Sequence, residues 1–120
     1  MEIQSYRDLR VWQNAMLLAE TTYRLTKGFP RDELFGMVSQ MRRSAASVAA
    51  NIAEGYGREN KGSYIQFLRI AQGSLKELET HAILSKREDL CSEEQIEMLL
   101  GQAEDVGKML RALIRSLEKT

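Results

Sequence analysis

The side chains able to do acid–base or metal chemistry are few. His81 is the single histidine, and Glu77 precedes it by one helical turn. Carboxylate-bundle metal sites use several glutamates and Glu-x-x-His pairs. The position three before His81 is Leu78, so that pattern fails. No arginine lies between Arg69 and His81 to make the Arg–His pair of a helical-bundle ribonuclease. Gly55-x-Gly57 lacks both the preceding strand and the third glycine of a dinucleotide loop. There is no P-loop lysine pattern, no Cys/His zinc spacing and no nucleophile–histidine–acid set. The expectation is a protein that is not an enzyme, with no catalytic residue, no metal, no cofactor and no small-molecule substrate.

A different polar pattern stands out. Gln40, Arg43, Ser47, Asn51 and Glu54 recur at spacings of three and four, a continuous stripe down one helix. Arg43 and Glu54 are too far apart to pair, so each needs water or a neighbour, with Arg69, Glu77 and Thr80 as candidates. Position alone slightly favours a solvated face. The alternative is a buried or inter-subunit network that sets helix register, which requires every member to be satisfied.

A third cluster is basic. Arg58, Lys61 and Arg69 lie near Tyr56 and Tyr64 in sequence. Cations beside aromatic rings can hold phosphates and stack bases. The cluster makes RNA or DNA a candidate partner, bound weakly and with strong salt dependence. Net charge is zero, with 17 basic and 17 acidic residues, which argues against a coat for nucleic acid. Residues 58–87 carry six basic against three acidic groups, and residues 88–120 four against eight. Such asymmetry can simply draw successive helices together.

The elements that must position these groups are helices. One proline and no alternating apolar–polar run leave no strand to propose. Punctuation at Lys27–Pro30, Gly55–Asn60 and Ser85–Cys91 divides residues 1–120 into four runs, about 8–26, 32–54, 61–85 and 92–118. Short loops make neighbours antiparallel. The prediction is one all-α domain, an up-down-up-down four-helix bundle.

On the first run, Leu9, Trp12, Met16, Ala19 and Tyr23 form one stripe, and Val11, Ala15, Leu18, Thr22 and Leu25 a second. Together they span roughly 200°, about twice what a surface helix needs. The fourth run is similarly wide, with Leu99, Val106 and Leu113 beside Ile96, Leu100, Ala103, Gly107, Leu110, Ile114 and Leu117. The excess predicts contact with another subunit. The second run has the spine Leu34, Val38, Met41, Ala45, Val48 and Ile52, and should stop at Gly55. Gly73, inside the third run, predicts a close packing approach. Ser92-Glu93-Glu94-Gln95 reads as a capping box.

At 120 residues the chain can bury a core without a staple. Cys91 is the lone cysteine, which suits a reducing compartment, and a cytoplasmic location is expected. Met1 to Arg10 has no apolar h-region, and no run is long enough to span a bilayer, so no membrane role is expected.

Four ordered motifs carry a resemblance. They are Tyr6-Arg-Asp-Leu-Arg-Val-Trp12-Gln, Gln40-Met-Arg-Arg-Ser44, Asn51-Ile-Ala-Glu-Gly55, and Phe67-Leu-x-x-Ala71-x-Gly73-Ser74-x-x-Glu77-Leu-Glu79-Thr80. From about Tyr6 to Leu117 the chain resembles the bacterial four-helix-bundle proteins encoded in intervening sequences of 23S ribosomal RNA genes. The resemblance implies a homopentameric ring and no established enzymatic activity. That family is similar to accessory proteins of diversity-generating retroelements, strongly basic pentamers that bind a reverse transcriptase and nucleic acid. This chain differs from them in its zero net charge. The matching polar positions are Gln40, Arg43, Asn51, Glu54, Glu77 and Glu79, which the resemblance turns toward a structural network. The functional expectation is a homo-oligomeric scaffold or partner-binding protein. The alternative is a nucleic-acid-binding accessory protein.

Overall fold

The computed structural model describes residues 2–120, and their structure is all-helical. Four long helices, α1 (Arg10–Thr26), α2 (Ser39–Tyr56), α3 (Lys61–Arg87) and α4 (Glu93–Glu118), form a rod of 46 × 24 × 22 Å. Cross-helix contacts join the end of each helix to the start of the next. Arg42 reaches Thr26, Gly55 meets Phe67, and Lys86 pairs with Glu93. An up-down-up-down order requires such pairings.

The helix starts follow local chemistry. Ser5 caps a 3₁₀ turn at Tyr6–Asp8, Asn60 accepts from the Ser63 amide, and Ser92 and Gln95 complete a reciprocal capping box. α3 ends in a Schellman arrangement: Leu90 N–H donates to the Ser85 carbonyl and Asp89 N–H to that of Lys86. Asp89 takes the left-handed conformation there, with φ of 58°.

The core draws on all four helices and includes Leu18, Met41, Ile52, Leu68, Leu78, Leu99 and Leu110, all fully buried. Phe29, in the first loop, is buried with them. On α1 the stripe through Val11, Ala15, Leu18, Thr22 and Leu25 is the one that enters this core.

Three expectations change. α2 does not begin cleanly after Pro30. A 3₁₀ turn at Arg31–Glu33 leads into a π-helical turn at Leu34–Val38, kinked at Gly36. A π turn adds one residue to the helical count and rotates what precedes it. Leu34 therefore leaves the core spine and is 50% exposed, and its neighbour Phe35 is 93% exposed. Secondly, α2 continues to Tyr56, and Gly55 is buried inside it. A Cβ there would lie 2.9 Å from Phe67 Cβ, so this glycine permits a close approach of α3. Thirdly, Gly73 has no packing role in this chain, because a Cβ there would meet nothing within 4 Å.

Candidate functional site

Two surfaces on α2 concentrate the unusual features. The first is apolar. On α1, the other stripe, buried in the core at Ala19 and exposed at Met16 and Tyr23, presents Trp12, Met16, Ala19 and Tyr23. α2 answers with Ala46, Ala49, Ala50 and Ala53, whose short side chains leave a trough between the helices. The result is a groove of about 620 Å³, with Tyr6 at one end and Glu20 and Arg24 on its rim. Its aromatic walls are held in place. Tyr6 packs edge-on to Trp12 with ring centroids 5.2 Å apart. Arg42 lies 4.6 Å over the Tyr23 ring while its Nε donates to Thr26 Oγ1 at 2.9 Å. The wide apolar arc of α1 thus divides into a half given to the core and a half left partly open at Met16 and Tyr23.

The arc of α4 is used differently. Ile96, Leu99, Ala103, Val106, Gly107, Leu110 and Ile114 are all buried within the chain, because α4 packs on both α1 and α3. Leu100 and Leu113 pack against the same core. Of its large apolar residues only Met98 stands strongly exposed. The width of α4 therefore gives little support to an external contact, unlike that of α1.

The second surface is a polar cleft of about 230 Å³ between α2 and α3, lined by Gln40, Arg43, Ser44, Ser47 and Glu77. Beside it the two helices are tied by a hydroxyl pair, Ser47 Oγ to Ser74 Oγ at 2.8 Å. Asn51 Nδ2 donates to the Ser47 carbonyl at 2.8 Å and to Ser47 Oγ at 3.0 Å. Among the described residues Arg43 has no ion pair within 4 Å. His81 Nε2 lies 3.9 Å from Glu77 Oε2 at the boundary of the bundle.

Within one chain the six candidate network residues do not share a single set of contacts. Gln40, Arg43 and Glu77 line the cleft, and Asn51 joins the serine tie. Glu54 instead pairs with Arg58, one turn on, at 3.2 Å. Glu79 pairs with Lys76 and faces the groove between α3 and α4. Thr80 is spent on the Lys76 carbonyl.

The basic cluster is likewise partly spent. Arg58 holds Glu54 and lies 4.6 Å over the Phe67 ring. Arg69 holds Glu118 at 2.9 Å. Among the described residues Lys61 makes no ion pair, and its Nζ donates to the Thr120 hydroxyl at 3.5 Å. Tyr56 and Tyr64 stack edge-to-face, with centroids 6.2 Å apart. Burial, and then the neighbouring Tyr56, push the Tyr64 hydroxyl pKa up. Burial does the same to the Cys91 thiol, which disfavours the reactive thiolate.

Sequence reasoning missed two contributors. Tyr6 was expected only as part of a motif, yet it lines the groove and packs edge-on to Trp12. Phe35 had no assigned place, although a phenylalanine followed by a helix-weakening glycine, Gly36, marks where regular helix fails. No group of three or more metal-ligating side chains comes together among the described residues. None of the helices there is long and apolar enough to cross a membrane.

The fold is similar to the crystal structure of a protein with unknown function from the S23 ribosomal protein family of Bacteroides thetaiotaomicron. The two share 26% identity and a TM-score of 0.82, over 88% of this chain and 95% of that one. No curated protein matches the chain in sequence. The sequence profile of the 23S rRNA-intervening sequence proteins matches residues 7–112. With four helices, that structural likeness and a match along most of its length, this chain belongs to the 23S rRNA-intervening sequence protein family.

Proposed function

We propose that the chain is a non-enzymatic, self-associating scaffold whose working form is a homo-oligomer, a pentameric ring by the family resemblance. The observation that carries this is the open half of the α1 arc. A groove walled by Trp12, Met16 and Tyr23 and floored by alanines is larger and more apolar than a solitary domain needs. Covering it removes apolar surface from water at about 25 cal/mol per Å². Zero net charge removes the long-range repulsion that would oppose assembly. Native mass spectrometry or sedimentation at micromolar concentration tests the reading. Five chains per particle is the expected result, and a strict monomer would sink it.

Nucleic-acid binding takes second place. Carboxylates already hold Arg58 and Arg69, which leaves Lys61 as the least committed charge of the cluster. Phosphate contacts through so few charges give weak binding per chain. A salt-dependent gel shift at low ionic strength, lost in Arg58→Glu/Lys61→Glu, would reverse this order.

A further inference from the structure

The molecule carries an apolar knob as well as an apolar groove. Among the described residues Phe35 is the most exposed of the large apolar ones, at 93%, and Leu34 beside it is half exposed. Both sit on the π-helical turn before α2, which points them away from the core. Exposed side chains of this size, grouped on one irregular turn, cost solubility and are usually covered in use. π turns of this kind are often found at functional positions.

The knob cannot fill its own groove. Ala46 is eleven residues beyond Phe35, past the kink at Gly36 and on into α2, roughly 16 Å at the helical rise, and Ala53 roughly 27 Å. The turn and α2 leave no flexible chain between them that could fold back. The charges beside the two features match. The groove rim carries Glu20 and Arg24, and the knob is flanked by Arg31 and Asp32. None of these four has an ion pair within 4 Å among the described residues. Arg31 can meet Glu20 and Asp32 can meet Arg24 when a second copy docks.

We propose that the Leu34–Phe35 knob of one copy seats in the Trp12–Tyr23–Ala50 groove of the next. This inference rests on the self-association reading and names its interface. Knob and groove are different patches, so the contact is head-to-tail. Repeated head-to-tail contacts close into a ring when the rotation per step allows and run on as a filament when it does not. Phe35 is the central anchor and the paired charges form a solvated rim.

Trp12, the only tryptophan, lines the groove and reports on it directly. The test combines sedimentation with tryptophan emission on the full chain, for the parent, Phe35→Glu and Ala50→Glu. Both positions are exposed, so helical content should match the parent by circular dichroism. The parent is expected to exceed a dimer, and its emission to shift to the red on dilution. Phe35→Glu should weaken association about thirty-fold or more and hold Trp12 at its red-shifted value. Ala50→Glu should be equally defective. An equimolar mixture of the two variants restores one good knob with one good groove, and should yield a 1:1 pair and nothing larger.

A parent that stays monomeric would overturn both this inference and the scaffold reading. An oligomeric parent whose mass is unchanged by Phe35→Glu would overturn the inference alone. So would a mixture in which the two variants do not pair. Phe35→Glu that keeps its mass but loses binding to phosphatidylserine-containing vesicles would give the knob to a lipid surface, and would also overturn it.

Discussion

A Cβ on Gly55 would stand 2.9 Å from the Cβ of Phe67, closer than such atoms approach in practice. The same added carbon would lie 3.0 Å from the Tyr64 ring and 3.2 Å from the Tyr64 carbonyl oxygen. The backbone of α3 cannot yield as a flexible side-chain tip would, so α2 and α3 would have to move apart where they meet. Gly55→Ala should therefore destabilise the fold by about 1–3 kcal/mol, despite alanine's better helix propensity. Gly73→Ala is the companion, because its added carbon meets open space. It should stabilise by about 1 kcal/mol. Urea denaturation of both variants decides, and equal signs would refute the close-approach account of Gly55.

The end of α3 offers the reverse substitution. Asp89 sits at φ 58°, where an L side chain crowds its own carbonyl and glycine does not. The hydrogen bonds that close this cap are backbone ones and survive the change. Asp89→Gly should raise stability by about 1 kcal/mol, read as a higher urea midpoint at an unchanged m-value.

Asn51 and Glu54 belong to one polar stripe but should behave differently. Asn51→Leu removes both donations to Ser47, which in turn bonds Ser74 on α3. The loss should cost about 1 kcal/mol and loosen the α2–α3 register. Glu54→Leu breaks only a pair in which both side chains are largely exposed, and should stay within about 0.5 kcal/mol of the parent. Amide hydrogen exchange along α2 separates them: faster exchange around Ser47 in the first, none in the second. Matching exchange profiles would contradict a register role for the serine tie.

Alkaline pH should weaken the fold. Burial raises the pKa of Cys91 and of Tyr64, so the folded state holds both protons more tightly than the unfolded chain does. Stability contributed in this way is complete below the unfolded values, near pH 9 for the thiol and pH 10 for the phenol. It falls as pH rises through the higher folded values. Melting temperatures should be level in this respect up to about pH 8.5 and then decline. Cys91→Ala should remove the earlier part of the decline, and Tyr64→Phe the later part. A decline unaltered by both would assign it to other groups.

Periodicity along the chain was enough to determine four helices, their approximate limits, the capping box at Ser92–Gln95 and the membership of most core stripes. Each of these depends on a residue's neighbours within four positions, and those are given by sequence. The ordered motifs from Tyr6 to Thr80 also carried the family. Tertiary structure alone decided which of the two apolar stripes of α1 enters the core. A helical period places a side chain around its own axis and is silent about which neighbour stands opposite. For the same reason α4 and α1 looked alike, although α4 spends its arc inside the bundle and α1 leaves half of its own open. The π turn that swings Leu34 and Phe35 outward, and the carboxylates that occupy Arg58 and Arg69, were also hidden. The first is a one-residue change in helical count, and the second depends on how long flexible side chains meet across packed helices.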